Sequence, residues 1–195
     1  RNLKELLINK GYSFFFNCDT EVIVNLYDCF GVASFSMLDG MFAFSIYDKI
    51  KDKLYIVRDF FGEKPLYYTT SKNKFIWASE LKSIMEIVTV TPQINKTALN
   101  LFLQLTYIPA PYSIYEDIHK LEANHYIEIN CIDLSFSIHE IAQSFKQYEN
   151  GSKVDAIKTT HDIVRESVAS RSVSDVPLGT FLSGGVDSSI VSLCL

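Results

Sequence analysis

The chain has 195 residues, 48% of them hydrophobic and 21% charged, with a formal net charge of −5. That composition excludes a disordered chain, and an acidic balance without a basic tract argues against a nucleic-acid backbone as partner. No apolar run reaches the ~18–20 residues that span a bilayer, and no signal-peptide pattern is present, so a soluble cytoplasmic protein with no membrane partner is the expectation. The length suits one ordinary domain or the parts of two.

In chain order, Leu3, Leu6 and Leu7 lie on one face of a helix over Asn2–Lys10, which Gly11 stops. Val22, Ile23, Leu26 and Tyr27 stripe a second helix that opens at Asp19-Thr20, with either residue as its N-cap, and ends before Gly31. From Met41 the period changes to that of strands. Met41–Tyr47 and Leu54–Arg58 form a hairpin around a charged turn, and Pro65–Thr70 with Lys74–Ala78 form another around Ser71-Lys72-Asn73. These strands are apolar at nearly every position, so a layered α+β domain with both sheet faces covered is predicted. Thr97–Tyr107 reads as a helix broken by Ile108-Pro109-Ala110-Pro111. His125–Asn130 and Leu134–His139 read as a third hairpin. A polar stretch over 142–153 marks a domain boundary. Val154–Ser170 is predicted helical, and Val176–Leu182 is predicted as a short apolar strand. Cys18, Cys29, Cys131 and Cys194 form no Cys-x-x-Cys pair and no metal-ligand spacing with histidine, which predicts thiols in a reducing compartment. His119, His125, His139 and His161 belong to no motif. The chain does not start with Met and stops within a helical pattern, so a piece of a longer protein is expected.

The densest chemical signal is Leu182-Ser183-Gly184-Gly185-Val186-Asp187-Ser188-Ser189. A loop of this kind at a helix N-terminus offers unpaired N–H groups and the positive end of the helix dipole to an anion. Gly184 and Gly185 let oxygens approach the backbone, and Ser183, Ser188 and Ser189 carry hydroxyl donors. Asp187 would repel bare phosphate and so implies a cation between itself and the anion, most simply Mg²⁺. The loop has no lysine and lacks the Gly-x-x-x-x-Gly-Lys-Ser/Thr pattern, which favours attack at the α-phosphorus of ATP with loss of pyrophosphate over γ-phosphoryl transfer. A plain Ser/Gly turn with an aspartate cap is the alternative.

The stretch Ser174–Ser189 resembles the opening of the synthetase domain of glutamine-hydrolysing asparagine synthetases. Upstream motifs agree in order: Cys18–Val22, Leu38–Phe44, Arg58-Asp59 with Gly62–Tyr68, Ala78–Lys82 and Tyr107–Pro111. The resemblance implies an α+β fold. Residues 1–145 would be an N-terminally truncated glutaminase domain, an incomplete four-layer αββα sandwich of the N-terminal-nucleophile type. Residues 151–195 would open an α/β ATP pyrophosphatase domain.

It further implies glutamine, aspartate and ATP as substrates, ATP and Mg²⁺ as cofactors, and adenylation of the aspartate side-chain carboxylate before ammonia displaces AMP. A homodimer of the full-length parent is compatible with it. Asp19 matches the acid that holds the glutamine α-ammonium; a plain helix cap is its other reading. The family's terminal cysteine and its Asn-Gly-Glu segment have no counterpart here, and neither Cys18 nor Cys29 replaces the nucleophile. No catalytic residue is therefore assigned, and the 195 residues alone are expected to be inactive as a glutaminase. Arg58, Asp59, Gly62 and Pro65 read as turn-shaping residues, with a domain-interface or channel role as the alternative. Two other functions stay open: a related ligase acting on another carboxylate, as in β-lactam synthesis or surface-sugar amidation, and a non-catalytic glutaminase-like binding protein.

Overall fold

The computed structural model describes residues 2–71, 73–88, 92–142 and 152–195. The chain divides into two compact units, Arg1–Gln143 and Ser144–Leu195.

In the first unit, α1 (Asn2–Asn9) precedes α2 (Asp19–Phe30), which runs into a 3-10 segment, Gly31–Met37. Strands β1 (Ala43–Asp48) and β2 (Lys53–Arg58) follow, then β3 (Tyr67–Ser71) and β4 (Lys74–Ala78). Helices α3 (Leu81–Met85) and α4 (Lys96–Leu105) precede β5 (His119–Lys120), β6 (His125–Asn130) and β7 (Phe136–Glu140). The strands form two antiparallel sheets, ordered β1-β2-β6-β7 and β4-β3-β5.

Side-chain alternation along these strands generates the layers. Leu54 and Ile56 of β2 sit opposite Ile129 and Ile127 of β6, and this face packs on Tyr68 and Phe75 of the other sheet, with Leu66 and Leu121 filling in. The odd-numbered partners, Tyr55 and Val57, face the other way with Phe44, Ile46 and Tyr126, against Tyr27 of α2 and Phe35 of the 3-10 segment. On the far side of the second sheet, Tyr67, Ile76 and Ala78 pack on Leu81, Ile84 and Met85 of α3. The result is helix, sheet, sheet, helix, as the doubly apolar strands predict. Burying each such Ile, Leu or Val is worth roughly 1.5–3 kcal/mol, so both faces of β2 contribute.

The second unit holds α5 (Lys153–Arg171) and α6 (Val186–Cys194). A capping box starts α5: Ser152 Oγ accepts the Asp155 N–H at 3.2 Å, and the Asp155 carboxylate accepts the Ser152 N–H at 3.2 Å. None of its described residues is buried.

Three expectations are corrected. Val176–Leu182 forms no strand. A strand needs a neighbour to take its backbone hydrogen bonds, and no described residue of this unit is in a strand. Neither Asp19 nor Thr20 caps α2: Cys18 is the extended N-cap residue, its side chain makes no cap bond, and Asp19 is already helical. Helix α4 ends at Leu105 and not Tyr107, because Thr106 turns left-handed at φ 65° and donates its N–H to Phe102 O.

Candidate functional site

The two predicted groups of site residues lie in different units, and each is built locally. Gly184 takes φ +84°, a value that L side chains rarely adopt, and so turns the chain into α6. Gly185 is the N-cap of α6 at φ −79°, a value open to any residue. A Cβ on Gly185 would meet Ser183 Oγ at 3.6 Å and Ser188 Oγ at 3.9 Å, ordinary contacts. Its lack of a side chain leaves room beside the helix end and is not demanded by the backbone.

The serines gather round this point. Ser183 Oγ and Ser188 Oγ are 3.0 Å apart, and Ser188 and Ser189 donate their hydroxyls to Gly185 O at 3.1 and 2.8 Å. Ser189 N–H, the first amide with an intrahelical acceptor, also bonds Gly185 O at 3.1 Å. The amides of Val186, Asp187 and Ser188 precede it in the first turn, where a helix supplies no acceptors. One turn further on, Ser192 donates to Ser188 O and lies 2.9 Å from Thr180 Oγ1, a brace on the entering segment that sequence reasoning did not single out. Leu182, Val186 and Asp187 are exposed. Asp187 thus stands in the first turn beside unpaired amides with its carboxylate in solvent. Among the described residues, no three of His, Cys, Asp or Glu cluster to hold a metal. Of the loop residues, Asp187 is the carboxylate that could hold a cation such as Mg²⁺, which keeps waters and takes one or two carboxylates.

In the first unit, Asp19 is the first residue of α2 and exposed. Its carboxylate makes no hydrogen bond or ion pair among the described residues. Glu21, two residues on, accepts the N–H groups of Phe15 and Phe16, each at 2.8 Å. Sequence reasoning missed Glu21. The available signal was an acid three residues after the N-cap, half of a capping box whose Ser or Thr is replaced by Cys18.

The Arg58–Pro65 region is a turn, as predicted. Asp59 is fully buried and accepts the N–H groups of Glu63 at 2.8 Å, Lys64 at 2.9 Å and Phe42 at 3.3 Å. Arg58 donates to the carbonyls of Lys64 at 2.8 Å, Gly62 at 2.6 Å and Leu121. Burial pushes its guanidinium down from its ordinary value, with Asp59 opposing. Gly62 has φ +66°, and a Cβ there would meet the Arg58 guanidinium at 3.0 Å and Ala123 Cβ at 3.1 Å. Burial also lowers Lys120, whose Nζ donates to Ile108 O at 2.7 Å, so the Tyr107–Pro111 segment is tied to β5.

The cysteines are dispersed, with Cys18 exposed and Cys29, Cys131 and Cys194 half-buried. Burial, aided by Asp52, pushes the Cys131 thiol up from its ordinary value, away from a reactive thiolate. No described helix is long and apolar enough to cross a membrane.

Comparison with known families matches residues 1–139 to the glutamine amidotransferase domain and residues 159–195 to asparagine synthase. A putative glutamine-hydrolyzing asparagine synthetase 2 of Methanocaldococcus jannaschii is 38% identical over 177 residues, covering 89% of this chain and 34% of the relative. The glutamine-hydrolyzing asparagine synthetase 1 of Bacillus subtilis is 37% identical over 190 residues, covering 97% of this chain and 30% of the relative. The chain thus spans about a third of the length of these relatives. Among solved structures, the glutamine phosphoribosylpyrophosphate amidotransferase of B. subtilis superposes with a TM-score of 0.51 at 17% identity, covering 98% of this chain and 40% of that one. That likeness is one of fold, and it agrees with two antiparallel sheets stacked between helices.

Proposed function

This chain belongs to the glutamine amidotransferase domain family, and from that membership we propose that it is part of an ATP-dependent ligase that makes asparagine from aspartate with ammonia drawn from glutamine. The observation that carries the reading is the order of two family matches in one chain, amidotransferase over 1–139 and asparagine synthase over 159–195. The relatives at 38% and 37% identity are both named asparagine synthetases, which favours aspartate over another carboxylate as acceptor.

In this reading residues 1–145 are the glutaminase domain and 151–195 open the ATP-binding domain. Asp19 holds the α-ammonium of glutamine. Its support is an exposed carboxylate that no described side chain neutralises. Neither Cys18 nor Cys29 serves as the nucleophile, since neither is a terminal residue with an α-amine for its base, and burial pushes the Cys131 thiol up.

The segment Leu182–Ser189 receives the ATP phosphates. First-turn amides of α6 bind phosphate oxygens, the glycines let those oxygens come close, and the hydroxyls of Ser183, Ser188 and Ser189 rotate from their internal bonds to donate. Asp187 with phosphate oxygens would hold Mg²⁺, which supplies charge neutralisation on the departing pyrophosphate. The aspartate carboxylate oxygen bonds to the α-phosphorus as the bond to pyrophosphate breaks. Ammonia then adds to the acyl carbon, loses a proton, and AMP leaves with the bonding electron pair.

The test uses the full-length parent protein that carries these residues. Asp187→Ala should abolish aspartate-dependent ATP–pyrophosphate exchange and leave glutamine hydrolysis intact. Retained exchange would overturn the assignment of the loop.

A further inference from the structure

The first turn of α2 carries two acids, and the structure employs them differently. Glu21 occupies the third helical position, from which a capping-box carboxylate reaches back to the N-cap amide. Here it reaches further, with Oε1 accepting Phe15 N–H and Oε2 accepting Phe16 N–H, each at 2.8 Å. Two charge-assisted bonds from one carboxylate to consecutive amides hold that stretch of backbone in a single orientation. Apolar packing does not do this, since residues Phe15 and Phe16 are 86% and 70% exposed. Upstream the loop has other anchors: Tyr12 donates to Asp28 at 2.7 Å, and Lys4 lies 5.0 Å over the Phe14 ring. From Phe15 to the helix start, the described side-chain bonds to the loop are those of Glu21. The Cys18 side chain caps nothing, and Asp19 makes no hydrogen bond or ion pair among the described residues.

We propose that Glu21 is the positioning residue of the glutamine site. Its carboxylate fixes the path of the chain into α2 and takes over the reach-back bonding at the helix start. That leaves Asp19 oriented and unshared for the α-ammonium of the substrate. The inference rests on the reading of Asp19 as the ammonium anchor.

The test is to titrate the ¹⁵N-labelled protein with L-glutamine and with glutaric acid monoamide, which lacks the α-amino group. Glu21→Gln keeps the side chain's size but loses its charge and one acceptor oxygen. It should weaken L-glutamine about tenfold and leave the desamino analogue unchanged. The Phe15 and Phe16 amide protons should move upfield and exchange faster, while the Ile56 and Ile127 amides, in the paired core strands β2 and β6, report an intact fold. Equal weakening of both ligands, or unmoved Phe15 and Phe16 amides, overturns the positioning role. Asp19→Asn separates the two ideas, because it should by itself erase the preference for L-glutamine over the analogue. If Asp19→Asn does so and Glu21→Gln does not, only the role of Glu21 falls. If the unsubstituted protein shows no such preference, or Asp19→Asn leaves it intact, the reading of Asp19 falls and takes that of Glu21 with it.

Discussion

The turn at 58–64 and the loop at 182–189 are both bends with a glycine at positive φ, Gly62 and Gly184, yet they are held in opposite ways. In the first, a fully buried aspartate accepts backbone amides and a buried arginine donates to backbone carbonyls, so the polar groups of the turn are answered from within the protein. In the second, the described bonds run between serine hydroxyls and the backbone of the loop itself, and Asp187 faces solvent. Space divides them in the same way. A Cβ at Gly62 would crowd Arg58 and Ala123, whereas one at Gly184 meets nothing within 4 Å. A bend whose donors and volume are consumed internally is scaffold. A bend that keeps first-turn amides and open space leaves room for a ligand. Substitutions at the two bends should therefore fail differently.

The largest expected effect is at Asp59. Asp59→Ala leaves three amides without their acceptor and the Arg58 guanidinium without its buried counter-charge, at a cost of about 3–5 kcal/mol. Since domains are stable by only about 5–15 kcal/mol, urea unfolding should show the midpoint of the first unit falling steeply. A midpoint within error of the parent would mean that the turn is not scaffold.

Gly62→Ala should come next, at roughly 1–3 kcal/mol, because left-handed strain adds to overlap with a guanidinium that is itself pinned by three carbonyls. The same measurement serves, and Gly62→Ala made together with Arg58→Ala should cost less than the sum of the two single changes.

A third effect is one of pH, and it sits at the hinge of the β1–β2 hairpin. Asp48 accepts the amides of Lys51 and Ile50 and the hydroxyl of Tyr27. The Lys51 amide first and Tyr27 second hold its carboxyl well below the ordinary 3.8. A depressed carboxyl contributes stability above the unfolded value and loses it as pH falls toward the folded one, so melting temperature should drop as pH is lowered below about 4. Tyr27 has the opposite sign: burial first, with Asp48 adding to it, pushes its hydroxyl up to about 12. Its contribution is intact below pH 10 and disappears as pH rises from 10 to about 12. Asp48→Asn should flatten the acid limb of a melting-temperature profile, and Tyr27→Phe the alkaline limb.

These contrasts also mark what the sequence made legible. Strands such as Leu54–Arg58 could be read because a strand covered on both sides is apolar at consecutive positions, and the layering followed from that. Strand β5 has only two residues, and α3 only five, too short for any periodicity to register. Val176–Leu182 has the composition of a strand, but composition cannot supply the neighbour that a ladder requires. At the sites, residue types were visible and their employment was not. Arg58 and Asp59 could be named from their motif, but that both are satisfied by backbone alone is a property of the folded turn. Asp19 looked like a cap because acids favour that place. The helix begins one residue earlier than that reading assumed, and the reach-back bonding belongs to Glu21.

The smallest expected effect on stability is the most informative about the loop. Gly184→Ala should cost about 1 kcal/mol through its φ of +84°, without any clash. Gly185→Ala should cost nothing measurable, since φ −79° suits alanine and the added Cβ stands 3.6 Å or more from its neighbours. If the space over Gly185 is where phosphate oxygens meet the first-turn amides, the same silent change should abolish ATP binding, as read by calorimetric titration with ATP and Mg²⁺. The two variants then invert: one destabilises and the other disables. Should Gly185→Ala bind ATP as the parent does, phosphate does not approach the helix end at that face, and Gly185 is only a permissive N-cap.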